Sequence, residues 1–142
     1  MAVLVAAMNR PSSPVAVTSA NAMQSLRFVI HAHDEIDSPH FDLMFETSAG
    51  SSLTTWRSPN WPIDCPTTIV ALPEHRREYL DYEGSVSGNR GVVRRVATGH
   101  CAVNQPAADA WLVRLFGDET IATLSLTHLQ GDEWLAVPAS EG

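Results

Sequence analysis

With 142 residues, of which 44% are hydrophobic, the chain has the size and apolar content of one globular domain and no room for a second catalytic domain. Its formal net charge of −7 excludes a protein that coats nucleic acid by bulk electrostatics, because that mode needs many cationic side chains to neutralise phosphates. Any contact with nucleic acid must therefore be local.

The first 24 residues are rich in Ala, Ser, Pro and Val and show no sustained helical or alternating pattern. We therefore expect a disordered leader over residues 1–24, a domain over residues 25–138 and a tail over residues 139–142. The apolar opening is too short to span a bilayer and lacks the positive flank of a signal peptide, so no membrane partner is predicted. Cys65 and Cys101 match no paired spacing, which predicts free thiols in a cytoplasmic protein.

From Leu26 the hydrophobic pattern has a period of two, which predicts a β-strand that carries His31 and His33 on one face. Residues 34–39 are turn-rich, and residues 40–46 alternate again, so the two strands are expected to form a hairpin. Further short strands, separated by turn residues, are predicted at residues 52–56, 67–72, 91–97, 110–116, 120–126 and 133–137. Pro73 is expected to begin one helical turn that reaches Tyr79. The pattern predicts a mainly β fold, an antiparallel β-barrel of short strands with one short helical turn.

Three residues of the predicted hairpin are candidate metal ligands. His40 and Asp42 are two residues apart on one strand, so both side chains point to the same face. Pairing across the turn brings His33 near the start of the second strand and completes a set of two histidines and one carboxylate. Such a set accepts Mn²⁺, Zn²⁺ or Fe²⁺ and leaves positions open for water or substrate. The alternative is a hydrogen-bonded histidine pair near a turn.

All nine basic residues are arginine, and the planar guanidinium suits phosphate oxygens. Five of them fall in one central stretch, namely Arg76, Arg77, Arg90, Arg94 and Arg95. Arg57, Arg76 and Arg90 are the candidate substrate-binding residues. The alternative is a solvated, arginine-rich surface without a ligand.

Several stretches with a common order and spacing carry a resemblance to a known family. Besides the hairpin motif of residues 40–46, they are Arg27-Phe28-Val29-Ile30, His33-Asp34, Leu53-Thr54-Thr55-Trp56-Arg57-Ser58-Pro59 and Leu72-Pro73-Glu74-His75-Arg76-Arg77-Glu78-Tyr79-Leu80-Asp81-Tyr82-Glu83-Gly84. Together they resemble the N-terminal 3′-phosphoesterase domain of bacterial ligase D, and most closely its short, stand-alone relatives. The resemblance runs from about Arg27 to Trp134-Leu135.

This resemblance implies a β-barrel hydrolase that uses Mn²⁺ in DNA end repair. The family removes a 3′-phosphate, or a 3′-terminal ribonucleoside and then its phosphate, from a primer strand. The implied partners are the 3′ ends of primer-template DNA and a separate ligase or polymerase. Zn²⁺ or another divalent metal is the alternative cofactor.

By motif position, the resemblance implies that His33, His40 and Asp42 hold the metal. It also implies that His75 and Tyr79 are the catalytic groups beside the scissile phosphate. A histidine and a phenol can each donate to phosphate oxygens or to a leaving oxygen. The alternatives are a surface histidine for His75 and a core aromatic residue for Tyr79.

Two positions depart from the family pattern, since Met44 stands where the family has arginine and Asn60 lies near the position of a lysine. A binding module of the same fold, without turnover, is therefore an alternative function. A second alternative is a non-haem iron oxygenase, because the His40-x-Asp42 pair with His100 or His128 mimics a facial triad. That alternative leaves the other motifs unexplained.

Overall fold

The computed structural model describes residues 26–118 and 120–139. The predicted leader over residues 1–24 lies outside these described residues, as do residues 140–142 of the predicted tail. Within the described ranges, no helix has the length and apolar character needed to cross a membrane.

The described chain consists of strands joined by short turns and one 3-10 helix. The strands are β1 (Leu26–Asp34), β2 (His40–Glu46), β3 (Leu53–Ser58), β4 (Thr67–His75), β5 (Gly84–Ser85), β6 (Val92–Ala107), β7 (Ala110–Gly117), β8 (Ile121–Gln130) and β9 (Glu133–Pro138). The 3-10 helix covers Arg77–Leu80, between β4 and β5. All strand pairs are antiparallel, so the predicted mainly β, antiparallel fold is confirmed.

The strands form one sheet in the order β1-β2-β3-β4-β9-β8-β7-β6-β5. An additional pairing of β1 with β6 joins distant parts of this order, so β1–β4 and β6–β9 form a closed ring. The short β5 pairs with β6 outside this ring. Strand β6 continues from the predicted end at residue 97 to Ala107, because β1 and β7 pair with its additional residues.

The main core lies inside the ring. Every strand of the ring contributes apolar side chains to it from one face, as a period of two requires. Within this core, the indole of Trp56 is stacked on the ring of Phe45, with centroids 5.5 Å apart. The side chains of Trp111 and Trp134 each pack edge to face against the indole of Trp56, with ring centroids 5.5 and 5.6 Å away.

A second, smaller core lies on the outer face of β1, β2 and β3. It consists of Val29, Met44, Leu53 and Leu80, with Tyr79 packed against it. The last two residues belong to the 3-10 helix, so this helix covers the outer face of the first three strands. Both faces of β1 and β2 are therefore buried, and polar residues on the outer face lie in a protected environment.

The prediction that Pro73 begins a helical turn is wrong. Pro73 lies in β4, and the helix begins four residues later at Arg77. The pairing of β3 with β4 changes register between Leu53 and Thr55, opposite this part of β4. A proline has no N–H to donate, and such irregular pairing tolerates it in a strand.

The buried carboxylate of Glu46, at the end of β2, fixes the 3-10 helix to the sheet. The Arg77 guanidinium donates to Oε2 of Glu46 and, at 3.0 Å, to the carbonyl of Ser51. The backbone N–H groups of Arg27 and Gly50 donate to the same carboxylate at 2.8 and 3.3 Å. Burial by itself would raise the pKa of Glu46, but the hydrogen bond from Arg77 and the two backbone donors together lower it.

We expect Glu46→Gln to destabilise the fold by about 1.5–3 kcal/mol at neutral pH, the usual value of a charged hydrogen bond. The pKa of Glu46 is lower in the folded chain than its ordinary value of 4.5, so its contribution is complete above that value and is lost as the pH falls below it. In urea unfolding, the difference in the free energy of unfolding between Glu46→Gln and the wild type should therefore shrink as the pH falls from 7 to 3. A difference that stays constant over this range would contradict the assignment.

Candidate metal centre and adjoining cavity

The antiparallel pairing of β1 with β2 brings the candidate metal ligands together on the outer face. His33 lies opposite His40, and Asp42 lies opposite His31. The pairing of β1 with β6 changes register between Ile30 and His31. Bulges of this kind alter the direction of nearby side chains and are common beside functional sites.

The three predicted ligands form the cluster that the hairpin implied. One ligand atom from each of His33, His40 and Asp42 lies within 4.8 Å of the other two. Nδ1 of His33 is 3.8 Å from Oδ2 of Asp42, and Nε2 of His40 is 3.4 Å from Oδ1. Both distances are too long for hydrogen bonds of normal geometry. They are close to the roughly 3–4 Å that separates two ligands bound to one ion at about 2.0–2.2 Å.

Backbone carbonyls set the orientation of both imidazole rings. Nε2 of His33 donates to the carbonyl of Arg90 at 2.5 Å, and Nδ1 of His40 donates to the carbonyl of Ser38 at 2.9 Å. A carbonyl only accepts, so in each neutral ring the nitrogen that faces Asp42 carries a lone pair. This is the arrangement in which metal-binding histidines are held.

Nε2 of His40 and Oδ1 of Asp42 are both buried and have no hydrogen-bond partner among the described residues. Two buried acceptors that face each other are unfavourable unless a proton or a metal ion lies between them. The donor set of two imidazoles and one carboxylate is also one that divalent transition metals accept. The residues therefore fit a divalent metal better than the alternative of a hydrogen-bonded histidine pair.

A cavity of about 230 Å³ opens beside Asp42. Its lining residues are His31, His33, Asp42, Met44, Arg57, His75, Tyr79, Val86, Arg90 and Val93. All the predicted site residues except His40 and Arg76 thus border one cavity. His40 lies behind Asp42 in the cluster, and Arg76 lines a neighbouring groove.

His75 and Tyr79 reach the cavity from β4 and from the 3-10 helix. Their ring centroids are 5.7 Å apart, and both side chains are partly buried. Nδ1 of His75 donates to the carbonyl of Pro73 at 3.0 Å, which leaves Nε2 available to a ligand. Tyr79 also packs against the smaller core, as its alternative as a core aromatic residue describes, while its side chain lines the cavity.

The candidate arginines have different surroundings. Arg57 lies opposite Asp42 on β3, with Nε 4.0 Å from Oδ1 of Asp42. Arg90 donates from Nε and Nη2 to the carbonyl and hydroxyl of Ser87 at 2.7 and 3.2 Å. Two positive groups therefore border the cavity beside the uncharged, fully buried Met44.

The position of His31, two residues before His33, places it on the same face, and the sequence favours an ordinary strand histidine there over a residue that supports the metal ligands. Its side chain is fully buried and lines the cavity. Neither ring nitrogen makes a hydrogen bond of normal geometry with a described residue. Burial lowers the pKa of His31, against the opposing effects of Asp42 and of the nearby carbonyl of Tyr79.

The histidines of the oxygenase alternative lie away from the cluster. Nε2 of His128 donates to the carbonyl of Gly131 at 2.8 Å, and its ring packs on Trp134. His100 is exposed and lies opposite Arg27 and Phe116 on neighbouring strands. The third member of the cluster is His33, so the described residues do not bring His100 or His128 to His40 and Asp42 as this alternative requires.

No protein-family model matches the chain, and no curated protein matches it in sequence.

Proposed function

We propose that this chain is a metal-dependent 3′-phosphoesterase that acts on nucleic-acid 3′ ends in DNA end repair. The observation that carries the proposal is the buried pair of acceptors, Nε2 of His40 and Oδ1 of Asp42, beside a cavity that also contains His75 and Tyr79. The resemblance of the motifs to the ligase D phosphoesterase domain supports the substrate and Mn²⁺ as the metal, with Zn²⁺ or another divalent ion as the alternative. The unpaired Cys65 and Cys101 support a cytoplasmic location.

His33, His40 and Asp42 would hold the divalent ion, which would supply positive charge for a phosphoryl group and would lower the pKa of a bound water. In the reaction, a water oxygen forms a bond to phosphorus while the bond between phosphorus and the 3′ oxygen breaks. The water loses a proton, and the departing 3′ oxygen gains one. Nε2 of His75 and the hydroxyl of Tyr79 are the groups that can donate to this oxygen or to the phosphate oxygens.

Arg57 and Arg90 are the cations that border the cavity, and each can donate to a phosphate oxygen. In this proposal they replace the basic groups that the family has at the positions of Met44 and Asn60. Asn60 donates instead to the carbonyl of Pro62 at 3.5 Å and does not line the cavity.

The proposal predicts that the full chain with Mn²⁺ releases inorganic phosphate from a 3′-phosphorylated primer-template. A chelator and His40→Ala should each abolish the release, and His75→Ala should reduce it by about 10²- to 10⁴-fold, the usual contribution of general acid–base catalysis. His128→Ala is the matched control, because His128 lies on β8 away from the cluster. Absence of release by the wild type, or unchanged release by His40→Ala, would exclude the proposed activity.

The uncharged Met44 at the cavity wall favours a second candidate, a binding module of the same fold that recognises DNA ends without turnover. This candidate predicts measurable affinity for a primer-template and no product with any divalent metal. Phosphate release that a chelator abolishes would exclude it.

A further inference from the structure

A groove of about 360 Å³ adjoins the cavity of the metal centre. Its lining residues are Arg76, Glu78, Tyr79, Tyr82, Ser85, Val86 and Ser87. Tyr79 and Val86 line both spaces, so the groove begins where the cavity ends. A molecule with its phosphate in the cavity therefore has the groove as a neighbouring space for its remaining atoms.

The sizes of the two spaces suit different parts of one ligand. Pockets for small organic ligands usually measure about 300–1,000 Å³, and the cavity of about 230 Å³ falls below this range. The cavity thus suits a phosphate, whereas the group to which the phosphate is esterified must lie elsewhere. The groove of about 360 Å³ is large enough for such a group.

One wall of the groove is aromatic and held in place. The rings of Tyr79 and Tyr82 meet edge to face, with centroids 5.9 Å apart and an interplanar angle of 89°. The hydroxyl of Tyr82 donates to the carbonyl of Ser85, which ties the ring to the loop that follows. Tyr82 nevertheless stays 39% exposed. An exposed aromatic ring fixed in one orientation is a stacking surface that is already formed.

The rest of the groove is mainly polar and carries one cation, Arg76, and one carboxylate, Glu78. Ser85 and Ser87 contribute hydroxyl groups, and Arg90 fixes Ser87 through two hydrogen bonds. The guanidinium of Arg76 is largely exposed and lies 3.7 Å from the carboxylate of Glu78. An aromatic face, hydroxyl groups and one arginine together match a nucleoside with an adjoining backbone phosphate.

We propose that this groove binds the terminal nucleoside whose 3′ oxygen carries the scissile phosphate, with its base against the ring of Tyr82. The inference rests on the proposed function, because it requires the phosphate to lie in the cavity. The preceding backbone phosphate lies near Arg76. Recognition by stacking is tolerant of sequence, since every base has a π face. The groove therefore selects nucleoside 3′-phosphates over phosphate esters without a base, without selecting a particular base.

The test compares two 3′-phosphorylated primer-templates that differ only in whether the terminal residue has a base. For the primer with a base, Tyr82→Leu should raise KM by about 5- to 150-fold, which corresponds to the loss of one base–aromatic stack. For the primer with an abasic end, the same substitution should change KM much less. Tyr82→Phe keeps the ring and should recover most of the loss for the primer with a base.

Leu129 is comparably exposed at 49% on β8, so Leu129→Ala is the control and should leave both KM values unchanged. An equal effect of Tyr82→Leu on both primers, or no effect on either, would overturn the assignment of the groove while the phosphoesterase activity stands. If the wild type releases no phosphate from either primer, the proposed function fails. The affinities of the protein for the two primers then test whether the groove binds the base. Affinity that depends on both the base and Tyr82 would then support the groove, and equal affinities would overturn it.

Discussion

Replacing Asp42 by asparagine should lower the affinity for Mn²⁺ by at least about 100-fold and abolish phosphate release. Asp42 is the one carboxylate of the cluster, and its two oxygens face His33 and His40 at 3.8 and 3.4 Å. An asparagine has no charge and offers only one acceptor oxygen in place of two. Even groups that merely orient a metal ligand contribute about 10- to 100-fold to affinity, so loss of a ligand should exceed this range.

The measurement is a competition titration of the metal against a chelator, with phosphate release followed in parallel. Asp37→Asn is the matched control, because Asp37 lies exposed in the turn of the same hairpin. The metal-free Asp42→Asn protein should be no less stable than the wild type, since its amide can donate to the lone pair on Nε2 of His40. Metal affinity that survives the substitution in a folded protein would remove Asp42 from the centre.

The second large effect is expected for Gly91→Ala. Gly91 has a φ of +83°, and a Cβ atom there would lie 2.4 Å from the carbonyl oxygen of Asp34 and 2.6 Å from Cγ2 of Ile36. Asp34 belongs to β1 and pairs with β6, so its carbonyl cannot move freely. The loop must shift instead, and it carries the Arg90 carbonyl that accepts from Nε2 of His33.

We expect Gly91→Ala to destabilise the fold by about 2–5 kcal/mol, through backbone strain and overpacking together. It should also weaken metal binding by about 10-fold or more, because His33 loses the acceptor that orients its ring. Gly50→Ala is the matched control: Gly50 has a φ of +84°, but its Cβ atom would meet nothing within 4 Å. Gly50→Ala should lower the free energy of unfolding only by the backbone strain of about 1–2 kcal/mol, and it should leave metal binding unchanged.

Urea unfolding and metal titration of both variants separate the two effects. If Gly50→Ala and Gly91→Ala lose the same stability and bind metal equally well, the contact between the loop and His33 has no role in the centre. A larger loss confined to Gly91→Ala supports the orientation of His33 by the loop.

The sequence by itself determined the features that depend on neighbouring residues. A period of two predicted β1 and β2, and the turn between them predicted the hairpin. The spacing of His40 and Asp42 put both side chains on one face, and the hairpin register added His33. These conclusions were accessible because strand geometry relates residues that are two apart or directly opposite across a short turn.

Only the tertiary structure decided the features that join distant segments. The closure of β1 on β6, the cover over β1–β3 provided by the 3-10 helix, and the carbonyl of Arg90 that orients His33 all link residues far apart in the chain. The tertiary structure also decided that the helix begins at Arg77 and not at Pro73, and that Arg76 lines the groove and not the cavity. Such contacts leave no local pattern in the sequence, because they depend on packing and on backbone carbonyls that every residue type provides.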